Sequence, residues 1–222
     1  MTTHHRFLHV MIAAAVFAAA APAFAQTTQR ASAPVSASMQ GTPSQLVLNN
    51  SQRVLSTLEK RRAEFSKNRP ALRQFISTEF NAMFDRDYAA RQVLGRHGRG
   101  AAEADVKLFA DALADNLMQR YGSSLLDFNT QLRVRVKSET QLPRGLGVKV
   151  SSEFLRQGGE PIPVDYLMRK TGAQWKVFDV MVEGVSYVQT FRSQFDAELQ
   201  RKTIKQIATE LRNGQIKADA GQ

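Results

Sequence analysis

The segment running from Trp175 to Phe195 constrains the fold most, because a strand pattern gives way to a capped helix within three residues. Trp175 to Val182 is rich in aromatic and β-branched residues and reads as a strand buried on much of both faces. Gly184 ends it. Ser186 stands where a helix N-cap belongs, Gln189 is placed three residues on for a capping box, and Val188, Phe191, Phe195 and Leu199 make one apolar stripe. A chain of this kind must turn a corner from sheet to helix at Gly184.

The same two periods organise the rest. Leu132, Val134 and Val136 alternate with Arg133, Arg135 and Lys137, as a half-buried strand does. Strands are also expected over 148–155 and 164–170, with hairpins across Gln157-Gly158-Gly159-Glu160 and Thr171-Gly172-Ala173. Upstream the period is helical. Thr42-Pro43-Ser44-Gln45 is a capping box with proline at the first helical position, and the apolar face Val47, Leu48, Val54, Leu55, Leu58 predicts one helix to about Ser66. A second helix after Pro70 carries Leu72, Phe75, Ile76, Phe80 and Met83 and ends near Phe84. Asp87 is the expected cap of a short helix stopping at Gly95. Val106, Phe109, Leu113, Leu117 and Tyr121 mark the longest helix, after which Leu125, Leu126 and Phe128 carry apolar surface towards the sheet. With helices over 187–200 and about 204–212, the class is α+β: a four-stranded antiparallel sheet, a helical N-terminal half and C-terminal helices.

Residues 1–25 hold no acid, a basic start at Arg6, an alanine-rich apolar run from Val10 to Ala21, and Ala23-Phe24-Ala25 before Gln26. This is the pattern of a cleaved secretory signal, too short and too alanine-rich for a stable membrane span, and implies a periplasmic location. The chain has no cysteine, which excludes disulfides, thiol chemistry, cysteine-based metal sites and a lipidated cysteine after cleavage. Residues 26–41 read as a flexible leader of Ser, Ala, Thr, Gln and Pro, 42–215 as one domain, and 216–222 as a flexible tail. The net charge of +10 falls by one when the signal takes Arg6 with it. A basic balance favours anionic partners, and a secreted chain with no basic run argues against nucleic acid.

The block Trp175, Val177, Asp179, Val180, Glu183, Gly184, Val185, Ser186, followed by Arg192, Gln194 and Phe195, resembles the C-terminal signature of the MlaC family of periplasmic phospholipid carriers, also known as toluene-tolerance auxiliary proteins of ABC transporters. Val93-Leu94-Gly95 and Tyr121-Gly122-Ser123-Ser124-Leu125 resemble its upstream motif, so the likeness spans nearly the whole domain. Two places depart from it. An aromatic pair usual after the Leu-Gly is replaced by Arg96-His97-Gly98, and a proline followed by Asp-Phe is replaced by Ala82 and Asp85-Arg86. The resemblance implies a curved sheet closed by helices around an apolar cavity for phospholipid acyl chains. It also implies a monomer, with no cofactor beyond its lipid cargo, that shuttles between an outer-membrane lipoprotein–porin complex and the lipid-binding ring of an inner-membrane ABC transporter, maintaining outer-membrane asymmetry.

Two residue sets suit the lining of such a cavity. Phe80, Met83, Phe84, Phe109, Leu113, Leu117 and Tyr121 share helical faces, joined by Val93, Leu94 and Leu125 from the upstream motif. Tyr166 and Met168 share a face of one strand by period two, as Phe178, Val180 and Val182 do on its neighbour. Aromatics and methionine make a deformable lining, yet the same spacing serves an ordinary filled core. Arg133, Arg135 and Arg169 are candidate cations near the mouth.

An enzyme on a similar α+β cone is the rival reading, with Asp165 or Asp179 as an inward acid–base group. The common nucleophile motifs and His-based metal patterns are missing, and His97 is the single histidine beyond the signal. Without a second catalytic group, Asp179 and Glu183 read instead as braces of the strand-to-helix bend, each a partner for a nearby arginine or backbone amide. A filled-core adaptor, or a carrier of another lipid such as a hopanoid, are the remaining alternatives.

Overall fold

The computed structural model describes residues 41–121, 126, 132–156 and 158–220; the expected signal and nearly all of the leader lie outside them, as do Leu125 and Phe128. The first helix begins where its capping box dictates. Thr42 Oγ1 accepts from the Gln45 N–H at 3.3 Å and Gln45 Oε1 accepts from the Thr42 N–H at 3.1 Å, starting α1 (Pro43–Lys60). The expected single helix to Ser66 is two, because Arg61 leaves helical geometry before α2 (Arg62–Lys67). That break accompanies a small separate core in which Phe65 packs with Leu58, Leu72, Ile76, Met118 and Leu126.

Asn68 caps α3 (Arg69–Met83) by accepting from the Ala71 N–H at 3.1 Å. The cap of α4 (Arg86–Leu94) is Asp85 rather than the expected Asp87, its Oδ1 accepting from the Tyr88 N–H at 3.2 Å. Gly95, at φ 56°, ends α4 and opens a short 3-10 turn over Gly95–Gly98, followed by the long α5 (Glu103–Tyr121). A side chain at Gly95 would collide with Arg192 Nε at 2.6 Å, so glycine is required for close packing as well as for its backbone.

The sheet is antiparallel in the order β1 (Arg133–Gln141), β2 (Val148–Leu155), β3 (Ile162–Thr171), β4 (Gln174–Val182) and β5 (Val185–Ser186). Four strands were expected; the fifth is a two-residue pair of Val185 and Ser186 with Val182 and Met181, too short to show a period. Glu183 (φ 49°) and Gly184 (φ 82°) make the turn that returns it. On the same edge of β4, Phe84 forms a parallel bridge with Val177 and the Asp85 N–H donates to the Val177 carbonyl at 2.8 Å. The α3–α4 link is thereby tied to the sheet and covers part of an otherwise open edge.

Helices α6 (Tyr187–Leu199) and α7 (Ile204–Arg212) complete the domain, with α4 packed on α6, α5 on α7 and α1 on β1. The expected flexible tail is instead held in place over residues 216–220. Asn116 on α5 donates to the Leu211 and Ile216 carbonyls at 2.7 and 3.2 Å and accepts from the Ala218 N–H at 3.0 Å. Ala218 and Ala220 are buried, and Asp219 pairs with Arg120 at 2.9 Å. A polar composition with no periodicity hides a docking mediated by backbone groups. Among the described residues no helix is long and apolar enough to cross a membrane.

Candidate functional site

One face of the sheet supplies a continuous apolar wall. Val148 and Val150 on β2, Val164, Tyr166 and Met168 on β3, and Val180 and Val182 on β4 are all buried, with Tyr166 opposite Val180 and Val164 opposite Val182. The helices close on this wall. Phe80, Met83, Val93, Leu94, Phe109, Leu113, Leu117 and Tyr121 belong to the same buried cluster as the sheet residues, so the helical and strand sets named from the sequence meet. Phe84 lies partly buried against that cluster, its ring 4.2 Å from that of Phe80. Leu125 is outside the described residues.

Phe178 departs from its expected place. Between β3 and β4 the register runs Leu167 opposite Asp179 and then Met168 opposite Val177, so Phe178 is the extra residue of a β-bulge. Val177, fully buried, takes the inward position opposite Met168, while Phe178 is half-buried with its ring edge-on to Tyr88 at 5.3 Å. The bulge explains the error, since simple alternation carries Phe178 to the face of Val180. Val177, Phe154, Ile162, Val47 and Phe195 are members of the cluster that the proposed lining left out. Period two would have found Phe154 and Ile162, but the bulge hid Val177.

The polar groups on this wall are hydroxyls. Tyr166 and Ser51, both buried, place their oxygens 3.4 Å apart, and burial pushes the Tyr166 phenol up to about 12. Burial likewise raises Tyr187 and Tyr121. All three are neutral around neutral pH, so they add dipoles and no charge.

The two buried carboxylates lie on the opposite side of the sheet by strand alternation and are engaged there. Glu153 accepts from Arg135 and Lys137 at 2.6 Å each, which holds its carboxyl below the usual range. Asp179 accepts from Ser186 Oγ at 2.6 Å and from the Val188 N–H at 3.1 Å. Ser186 Oγ in turn accepts from the Gln189 N–H at 3.0 Å. The N-cap of α6 is therefore completed by Asp179 from β4 rather than by the Gln189 side chain. Asp165 faces Lys149 at 3.4 Å, and His97 lies 3.0 Å from Asp196, which also pairs with Arg96. These contacts account for the candidate acid–base groups as braces.

Two of the three cations expected near a mouth are committed to acids: Arg135 to Glu153, and Arg169 to Asp85 at 2.5 Å while lying 4.2 Å over the Tyr88 ring. Arg133 is exposed at the start of the edge strand. A separate polar basin of about 260 Å³ lies at the α3–α4 junction, lined by Phe84, Asp85, Arg86, Asp87, Lys107, Thr171 and Lys176. Most of its charges are satisfied internally: Arg86 and Lys107 by Asp111, Asp85 by Arg169 and Thr171, and Lys176 by the Ala82 carbonyl.

The family model described as MlaC protein matches residues 48–213. A toluene tolerance protein of Pseudomonas putida is 27% identical over 187 residues, covering 80% of this chain and 85% of the relative. The intermembrane phospholipid transport system binding protein MlaC of Haemophilus influenzae is 19% identical over 172 residues, covering 76% and 80% respectively. The solved structure of a phospholipid-binding protein from Ralstonia solanacearum, in complex with a phospholipid, is similar with a TM-score of 0.65. It shares 23% identity, covers 76% of this chain and 95% of its own, and establishes likeness of fold.

Proposed function

Since the chain belongs to the MlaC family, we propose that it is a periplasmic phospholipid carrier that holds acyl chains between the apolar sheet wall and the helices. It takes its cargo between outer-membrane and inner-membrane transport complexes. The observation that carries the reading is the composition of the wall: one continuous apolar cluster joins β1–β4 to α1 and α3–α7, and its polar members are neutral hydroxyls. Such a surface solvates hydrocarbon and offers no paired acid and base to a reacting group.

The energetics shape the mechanism. At about 0.8 kcal/mol per buried methylene, two long acyl chains represent more than about 20 kcal/mol of gross transfer, around the ceiling of non-covalent affinity. Release into water is accordingly too slow for transport, and the lipid must pass to an acceptor while the carrier is docked. Mass spectrometry of lipids extracted from protein purified out of a native periplasm tests the reading. Stoichiometric phospholipid is expected; another lipid changes the cargo, and protein free of lipid overturns the carrier function.

A further inference from the structure

The turn between β1 and β2 exposes apolar surface under backbone strain. Leu146 is 55% exposed, one of two large hydrophobic residues so exposed among the described residues, and follows Pro143, Arg144 and Gly145, all exposed. Arg144 is held at φ 59°, the left-handed region that a residue with a side chain enters at a cost. Gly147 locks the turn against β3, where a Cβ would come within 1.9 Å of the Met168 carbonyl oxygen. The turn thus leaves the Leu146 side chain outside the core and free to meet another surface.

The β3–β4 hairpin turns at the same end of the sheet, because Val148 pairs with Met168 and Lys170 with Trp175. Exposed Lys170 sits 5.5 Å over the half-buried Trp175 ring, and Arg144 has no charged partner among the described residues. This end therefore combines a protruding leucine, an amphipathic indole and unneutralised cations, on a chain of net charge +10. That combination is complementary to a bilayer with anionic head groups: the leucine enters the acyl boundary, the indole lies at head-group depth, and the cations meet phosphate.

We infer that Leu146, Arg144, Lys170 and Trp175 form a docking tip for the surface of an anionic phospholipid bilayer. The tip rests on three exposed residues and the half-buried Trp175 ring, and not on the carrier reading. Trp175 is the single tryptophan of the chain and reports on it directly. Mature full-length protein is floated with vesicles of phosphatidylglycerol and phosphatidylcholine or of phosphatidylcholine alone, and iodide quenching of Trp175 is read on the same samples. Binding is expected to the anionic vesicles, weakened by salt, with Trp175 shielded from iodide. Leu146→Glu and Lys170→Glu should each weaken it by roughly tenfold or more. Val185→Glu, at the equally exposed hydrophobic residue on the opposite end of the sheet, should leave it unchanged. Absence of vesicle binding, or binding lost equally in Val185→Glu, overturns the inference, as does recognition of an acidic protein surface without vesicles. Lipid content of the same preparations separates the two readings. Vesicle binding by lipid-free protein sustains the tip and sinks the carrier, and lipid-loaded protein that ignores vesicles does the reverse.

Discussion

Asp179 and Ser186 are joined across the strand-to-helix corner at 2.6 Å, with Ser186 Oγ donating to Asp179 Oδ2, while the other carboxylate oxygen accepts from the Val188 N–H. The strand thus supplies the cap of the helix that follows it, and both side chains brace the corner.

The Asp179 carboxyl is raised above its ordinary value by burial, against the opposing pull of Ser186 and the backbone amides. A group raised on folding contributes stability that is complete below its unfolded value and is lost as pH rises through the folded one. Asp179→Asn abolishes that dependence. The stability advantage of the native chain over this variant should shrink as pH rises above the ordinary aspartate value of about 4 in urea titrations. An advantage that grows with pH contradicts the assignment.

Glu153 has the opposite sign, since its hydrogen bonds to Lys137 and Arg135 lower its carboxyl. Its contribution is present above the unfolded value and lost as pH falls through the folded one. Glu153→Gln should therefore lower Tm slightly at pH 7, less in high salt, and leave it unchanged near pH 2, as differential scanning calorimetry would show.

Gly147 stands at φ 136° with the Met168 carbonyl oxygen 1.9 Å from any added Cβ. The backbone of β2 or β3 must move to admit even a methyl group. Gly147→Ala is expected to cost at least about 3 kcal/mol in chemical denaturation, whereas Gly158→Ala, with open space around it, should cost about 1.

Asn116 anchors the C-terminal segment through three hydrogen bonds to backbone. Truncation to Ala leaves buried carbonyls and an amide without partners, at about 2–3 kcal/mol. Limited proteolysis should then trim residues 216–220 well before the domain unfolds; trimming at the native rate would mean the anchor lies elsewhere.

Val180→Trp separates a hollow interior from a filled one. Val180 is 3% exposed on the apolar wall. In a lipid-lined space the indole takes the place of acyl chain, giving loss of co-purified lipid with little change in Tm. In a filled core it overpacks and costs about 1–3 kcal/mol or more.

Much of the architecture was legible because it is written in short-range periods. The 148–155 strand, both later hairpins, the Thr42 capping box and the Ser186 cap follow from residues within a few positions of one another. Most of the candidate residues met in one buried cluster because the helical and strand periods each place their apolar residues on one side. Phe178 was misplaced because a bulge is set by pairing between two strands and leaves no trace in the period of one. Asp85 was missed as a cap because its selection depends on the Phe84–Val177 bridge and on Arg169, distant in sequence.

The sequence by itself determined the α+β class, the sheet-to-helix corner at Gly184 and the family, since local propensity and a contiguous signature carry all three. Only the tertiary structure decided that Asp179 is a brace, that Val177 rather than Phe178 faces Met168, that residues 216–220 dock on α5, and that Leu146 shares one end of the sheet with Trp175. The physical reason is common to these. A side chain's burial and partner are set by groups brought together from distant parts of the chain, whose free energies depend on the assembled surroundings and not on neighbours in sequence.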